Sequence, residues 1–458
     1  MVMCEARSKY CVLFVSTVAS FIPAFMGSAI NIALPEIGQE FTMDAVLLGW
    51  VATAYLLALA IFMVPLGRMA DIHGRKKVFT LGMILFTLFS FLTATSSTSL
   101  MLISFRFLHG MSSAMIFGTA VALLTSVFPS GERGMALGIN VTSVYAGLSA
   151  GPFLGGVLTQ YLGWRSIFLA TVPLGLLVIV LIHMKMEGEW IEAEGESFDW
   201  VGSLIYALVL LSLIYGLTSL PSMMGMEFVI LGLIGFLFFL LWESRTTYPV
   251  LNVVLFRKNR VFALSNLAAL INYGATFAVA FVLSLYLQYI KGLTPLSAGL
   301  VLMIQPVVQA LFSSSAGKLS DKIEPQIVAS TGMAITTLGL LFLISLDDNT
   351  NLLHIKANLA VLGLGFALFS SPNTNAIMSS VEKKYYGVAS GMVGTMRSIG
   401  MMSSMAIAMT ALSLFMGRVQ VTPENHTQFL MSMEAIFSIF VVLCTLGVFA
   451  SLARGKVR

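Results

Sequence analysis

The sequence predicts an all-helical membrane protein that crosses a bilayer about fourteen times, built as two related bundles. Three observations carry this. First, 58% of the 458 residues are hydrophobic and only 10% are charged, with a mean hydropathy of +0.93. Soluble domains carry about 25% charged residues, so this chain would lack an adequate polar surface in water. Second, the apolar residues form continuous runs of about 20, the length that spans a hydrocarbon core as a helix. A barrel would instead alternate apolar and polar residues over about ten positions. Third, a charged turn recurs between apolar runs, as Gly67-Arg68-Met69-Ala70-Asp71 and again as Gly317-Lys318-Leu319-Ser320-Asp321. Repeated halves within one bilayer are the mark of secondary-transporter architecture.

Spans are predicted at 11–34, 45–66, 78–96, 99–127, 136–159, 165–184, 200–219, 227–242, 261–289, 296–316, 326–345, 353–380, 388–416 and 428–453. The first follows Arg7 and Lys9. Its length exceeds the roughly 7–15 apolar residues of a signal-peptide core, so it reads as retained. The eighth is the shortest. A second repeat, Gly134-Met135-Ala136-Leu137-Gly138 against Gly387-Val388-Ala389-Ser390-Gly391, lies at nearly the same offset as the first. The chain therefore divides into a bundle of spans 1–6 over residues 1–185 and a bundle of spans 9–14 over 261–458. Residues 186–260 hold an acidic linker, two inserted spans and a basic linker. The acidic linker, Met186–Phe198, carries Glu187, Glu189, Glu192, Glu194 and Glu196. It reads first as a solvated interfacial strand of chain, with a regulatory contact or a cation trap as alternatives. The second, Glu243–Arg260, contains Pro249 and is expected to run along the cytoplasmic face.

Charge sets the orientation. On this span map Arg165, Lys291, Lys356 and Arg418 fall on one side, while Arg106 and Arg397 lie inside spans. Every other Lys and Arg falls on the side shared by both termini. The positive-inside rule places that side in the cytoplasm, and an even number of spans requires both termini there. The composition and motifs also exclude several classes. The net charge of +4 gives no reason to expect nucleic acid. Cys4, Cys11 and Cys444 lie near predicted cytoplasmic ends, so a disulfide framework is not expected. No Cys/His cluster points to a metal, and no cofactor is expected. No Walker sequence appears, so ATP is not the direct energy source. No Ser/His/Asp or paired-carboxylate arrangement suggests an enzyme.

Four motifs stand out in chain order. Span 1 closes on Asn31-Ile32-Ala33-Leu34-Pro35. The first turn continues to Ile72-His73-Gly74-Arg75-Lys76-Lys77. Span 4 carries Arg106-Phe107-Leu108-His109-Gly110. Span 5 carries Gly147, Gly151, Pro152, Gly155 and Gly156. The chain resembles the major facilitator superfamily over nearly its whole length, and within it the fourteen-span drug:proton antiporter family. The turn is similar to G-x-L-A-D-x-x-G-R-K-x, with Met69 at the usual Leu. The span 4 string is similar to R-x-x-Q-G, and the span 5 string matches the antiporter signature. The resemblance implies the major facilitator fold and efflux of small organic compounds by a monomer through alternating access. Protons are the implied coupling ion and the cell membrane the implied location. Uptake or facilitated diffusion is the alternative within transport, and a non-transporting receptor or sensor on the same fold is a more distant one.

Each motif also has a physical reading. Gly67 permits close helix approach, and Gly74 permits a tight reversal. Asp71 can neutralise Arg75 and meet the positive end of a neighbouring helix. The resemblance makes that neighbour span 13, which starts near Gly387, and makes the turn, with its echo at Asp321, a latch. The span 5 glycines are spaced to share one helix face, which allows backbone-to-backbone packing. They read either as ordinary packing or as a flexible interface between the halves. Pro152 bends the span.

One departure matters. Relatives with the drug-export pattern carry an aspartate nine residues before the closing proline of span 1, and here that position is Met26. Arg106 lies at similar depth, about 10 Å into the bilayer, without that acid. It reads as bonded to backbone carbonyls, as attracting an anionic substrate group, or as tuning a proton site. His109, one turn on, can titrate near neutral pH, and Asn31 is a further polar candidate. In the second half, Arg397 is expected to hold carbonyls or Glu434, and Glu434 is a candidate coupling acid. Asn266, Asn272, Gln288, Asn373 and Asn375 are candidate cavity lining.

Overall fold

The computed structural model describes residues 2–129, 132–247, 249, 259–381, 386–417 and 419–455. Among the described residues, fourteen helices are long and apolar enough to cross a membrane. Spans 1 to 8 are Lys9–Glu40, Ala45–His73, Arg75–Ala94, Ser99–Val127, Met135–Leu162, Arg165–Lys185, Trp200–Thr218 and Met223–Glu243. Spans 9 to 14 are Arg260–Ile290, Pro295–Ser320, Pro325–Ile344, Leu352–Ser379, Gly391–Met416 and Pro423–Ala453. Among the described residues there is no strand. Span 8 is longer than its hydropathy suggested: Ser222 caps it by accepting from the Gly225 amide, so Met223, Met224 and Met226 join the helix.

Spans 1, 5 and 6 pack together, as do 2 with 4 and 3 with 4 and 6. In the second half, span 9 packs on 12, 13 and 14, span 10 on 12, and span 11 on 12 and 14. The inserted spans 7 and 8 form a hairpin. Span 7 ties to both halves. The Tyr206 hydroxyl donates to the Ala60 carbonyl of span 2, and Thr410 of span 13 donates to the Leu217 carbonyl. The outer surface is apolar, with Leu231, Leu237, Phe238 and Leu241 of span 8 more than half exposed. Water would penalise such a surface, whereas lipid is its natural solvent.

The helix irregularities follow from residues that cannot complete the backbone ladder. Proline lacks an N–H and leaves the carbonyl four residues earlier without its donor. In span 5, Pro152 frees the Leu148 carbonyl, and Ser28 of span 1 donates to it at 3.0 Å. Span 10 breaks at Met303, just before Pro306. Span 9 breaks after Gly274, resumes at Ala278 and ends in a π-helical turn, Tyr286–Ile290. Ser404 of span 13 accepts from the freed Ala278 amide at 3.0 Å. Backbone irregularity at membrane depth is tolerated where protein buries it or where it borders a cavity.

Candidate functional site

The two halves meet tightly toward the face opposite the termini, here called the far face. Pro35 leaves the Asn31 carbonyl without an intrahelical donor. Ser284 of span 9 donates to that carbonyl at 2.6 Å. One turn further, Gln288 donates to the Ile32 carbonyl at 3.1 Å and Tyr289 to the Pro35 carbonyl at 3.3 Å. The polar role of Asn31 is thus carried by its backbone, and Gln288 helps seal the far face. Spans 5 and 10 close the other side. A Cβ on Gly299 would lie 2.1 Å from the Pro152 carbonyl oxygen, and one on Gly156 would lie 2.8 Å from the Pro295 carbonyl oxygen. Only glycine permits either approach.

The span 5 glycines therefore do not act as one stripe. Cβ atoms on Gly147, Gly151 and Gly155 would collide with Phe21, Ser28 and Ala29 of span 1, inside the same bundle. Gly156 alone of the four meets the other half. Successive helical residues point about 100° apart, so Gly147, Gly151 and Gly155 share one face while Gly156 points to the opposite side from Gly147.

The seam between spans 2 and 13 runs from Gly49 beside Met409 to Met63 beside Gly394. Past that point it parts. Added Cβ atoms on Gly67, Gly138 and Gly391 would meet nothing within 4 Å. Gly67 therefore makes no close approach through its own Cβ position here. The halves separate toward the face that holds the termini, leaving a cleft between them.

A polar and aromatic cluster stands at the inner end of this cleft. The Tyr145 hydroxyl of span 5 lies 2.9 Å from Ser370 Oγ of span 12, and that oxygen is 3.4 Å from the Tyr273 hydroxyl of span 9. Gln309 of span 10 and Arg397 of span 13 adjoin Tyr145. The Arg397 guanidinium carbon sits 5.3 Å from the Tyr273 ring centre, close enough for a cation–π contact. Counting 1.5 Å per residue, all five lie about 14–20 Å from the terminal-face ends of their helices. Among the described residues, no hydrogen bond or ion pair engages Arg397. The expected pairing with carbonyls or Glu434 is not made, because Glu434 lies on the exposed side of span 14.

Sequence reasoning missed Tyr145, Tyr273, Ser370 and Gln309. One signal could have found them: each sits about as far from its terminal-face helix end as Arg397 does, on a span without acids. The asparagines are used elsewhere. Asn266 donates to Phe262, Asn373 to Ser265, and Asn375 to Ser320. Asn272 is the exception: it is fully buried, and neither atom of its side-chain amide has a hydrogen-bond partner among the described residues.

Arg106 and His109 belong to a different environment. Both are fully buried inside the first six spans. Arg106 Nε donates to the Val51 carbonyl at 3.0 Å, Nη1 lies 3.2 Å from His109 Nδ1, and the guanidinium covers the Tyr55 ring at 4.4 Å. His109 Nε2 in turn meets Ser90 Oγ at 3.1 Å. Gly110 makes this possible, since a Cβ there would lie 2.2 Å from the Tyr55 carbonyl oxygen of span 2. Met26 is also fully buried. The missing acid therefore leaves Arg106 satisfied by carbonyl, imidazole and ring.

The charged turn is gripped by the acidic linker, contrary to its reading as solvated chain. Asp71 pairs with Arg75 at 2.8 Å, and Arg75 reaches Glu192 at 3.1 Å and Ser126 at 2.6 Å. Glu189 accepts from the Lys76 and Lys77 amides at 2.7 and 3.2 Å, satisfying two orphan donors at the start of span 3. The Glu192 and Ala193 amides donate to the Asp71 carbonyl, and Arg68 pairs with Glu196. Gly74 makes the reversal at φ +119°, and a Cβ there would strike Glu189. Glu189, Glu192 and Glu196 looked solvent-directed because their partners in the turn are more than a hundred residues away in sequence; Glu187 and Glu194 are exposed. The surroundings of Asp321 and Gly387 lie outside the described residues, so their part in a latch rests on the sequence alone.

A fourteen-span helical chain with a cleft between two bundles defines a transporter class of fold, and comparison with known proteins agrees. The sequence profile of the Major Facilitator Superfamily matches residues 16–405. The chain is 30% identical to the riboflavin transporter RibZ of Clostridioides difficile, across 86% of each protein. It is 28% identical to the multidrug resistance protein Stp of Mycobacterium tuberculosis, across 92% of this chain and 79% of that one. It is likewise 28% identical to the tetracenomycin C resistance and export protein of Streptomyces glaucescens, across 85% of this chain and 73% of that one. The chain belongs to the Major Facilitator Superfamily. It is a multi-pass membrane transporter, not an enzyme.

Proposed function

We propose that this protein exports small organic compounds across the cell membrane by alternating access, driven by an ion gradient. The observation that carries the reading is the cleft. It is shut at the far face by glycine-backbone contacts and ends at Arg397, Tyr145 and Tyr273 near mid-membrane. The positive-inside rule assigns the open end, where the termini lie, to the cytoplasm. A cleft loaded from the cytoplasm and emptied at the far face performs efflux. Several relatives are named for export or multidrug resistance. In this cycle the far-face seal opens as the seam between spans 2 and 13 closes past Gly67. Asp71 and Arg75 then latch the turn against the start of span 13 near Gly387, with Asp321 in the corresponding turn of the second half. Protons are the first coupling ion to test, because the family resemblance favours them. Uptake is the second reading, favoured by the 30% identity to a riboflavin transporter.

The test is flux in proteoliposomes with imposed pH or sodium gradients, using anionic, neutral and cationic aromatic compounds. Uphill substrate movement against a pH gradient supports proton-driven transport. Flux insensitive to both gradients rejects ion coupling. Flux in the cytoplasmic direction only rejects export.

A further inference from the structure

We propose that Arg397 is an anion-recognition residue and that the cleft selects aromatic compounds carrying a negative charge. This rests on the transport reading above and narrows its substrate class.

The argument starts from charge. The five spans that supply the cluster are Met135–Leu162, Arg260–Ile290, Pro295–Ser320, Leu352–Ser379 and Gly391–Met416, and their sequences contain no Asp or Glu. Arg397 is thus a cation near mid-membrane that makes no ion pair with a carboxylate among the described residues. A guanidinium at that depth is expensive unless it is paired or hydrated, and such residues are as a rule functional. Arg106 shows how this protein treats a structural arginine. It is fully buried, donates to a carbonyl, contacts an imidazole and stacks on a ring. Arg454 is similar, bonded to Ser265, Asn373 and the Pro325 carbonyl. Arg397 has none of these donations among the described residues and is only partly buried. Its fork of N–H donors suits a carboxylate, sulfonate or phosphate.

The surrounding groups define the rest of the ligand. Tyr273 lies against Arg397 on one side and edge-on to Phe366 on the other, with ring centres 6.2 Å apart. Tyr145 adds a second ring, and its hydroxyl is held by Ser370. Rings beside a cation favour a flat aromatic body joined to the anionic group. A cationic drug would face an uncompensated positive charge here, with no acid to receive it.

The experiment is direct binding to the purified protein in detergent, which does not depend on transport. The probes are naphthoate, naphthamide, naphthylmethylammonium and acetate. They are applied to the parent, Arg397→Lys and Arg397→Gln, with the melting temperature of each variant recorded. Naphthoate is expected to bind at least about tenfold more tightly than the amide or the ammonium, the scale of one charge-assisted contact. Arg397→Gln should erase that preference, and Arg397→Lys should retain part of it. Equal binding of the three naphthyl probes, preference surviving in Arg397→Gln, or no naphthoate binding would each overturn the inference. Acetate binding as tightly as naphthoate would overturn its aromatic half. Proton- or sodium-driven flux of neutral compounds with unchanged rates in Arg397→Gln would leave the export reading standing while this inference falls.

Discussion

Replacing Gly299 by alanine tests whether the far-face seal is a state-specific contact between halves. The new Cβ would stand 2.1 Å from the Pro152 carbonyl oxygen and 2.9 Å from its carbon, where real Cβ contacts essentially never come under 3.0 Å. Both obstacles are backbone, so no side chain can rotate away. Overpacking of this kind costs about 1–3 kcal/mol. The cost falls only on the state in which spans 5 and 10 touch. At 1.4 kcal/mol per tenfold, the equilibrium should move away from the far-sealed state by about 5- to 150-fold. The reporter is Gly391→Cys, at a position with nothing within 4 Å on the terminal-face side of the cleft. Cys4, Cys11 and Cys444 are replaced by serine in the same background. Labelling from the terminal face with a membrane-impermeant maleimide reads the population of the open cleft. Gly299→Ala should slow labelling and transport together. Gly138→Ala, another glycine with no neighbour within 4 Å, should change neither. Normal labelling in Gly299→Ala would refute the seal.

Three further outcomes are expected. Asp71→Asn removes the carboxylate that pairs with Arg75 at 2.8 Å; flux should fall while the yield in the membrane fraction holds, and normal flux would remove Asp71 from the latch. Arg106→Leu leaves His109 Nδ1 without its partner and removes the second donor on the Val51 carbonyl, which stays bonded within its helix; at about 1–3 kcal/mol for an orphaned buried group the melting temperature should drop, with the preference among the naphthyl probes unaltered. The double change Glu192→Gln with Glu196→Gln removes the ion pairs to Arg75 and Arg68; hydrogen exchange at the Glu192 and Ala193 amides should accelerate, and unchanged protection would mean that the backbone bonds to Asp71 hold the linker alone.

Much of the architecture is legible in the chain because the bilayer imposes it. A helix that cannot hydrogen-bond to solvent must satisfy its own backbone, so each span announces itself as an uninterrupted apolar run. The repeat at Gly67 and Gly317 is the sequence's argument for paired halves, and the bias of Lys and Arg toward one face its argument for sidedness. The motifs were legible as well, but their tasks were not all assigned correctly. The glycines of span 5 looked like one face, yet three of them serve span 1 and Gly156 serves span 10. Asn31 was named as a polar candidate, and it is its backbone carbonyl that Pro35 releases to Ser284. The linker glutamates looked solvated, yet Glu189, Glu192 and Glu196 hold the charged turn.

The sequence by itself determined the class of protein, the number of spans and the absence of an acid at Met26, because these depend on local composition and spacing. Only the tertiary structure decided which polar residues meet. Arg106 and Arg397 are equally conspicuous as intramembrane arginines, and nothing local tells them apart. Packing gives Arg106 a carbonyl, an imidazole and a ring. It places Arg397 beside two tyrosines at the inner end of a cleft, with no hydrogen bond or ion pair engaging it among the described residues. That difference depends on neighbours from other spans, about fifty residues away for Arg106 and more than a hundred for Arg397, which local sequence pattern cannot supply.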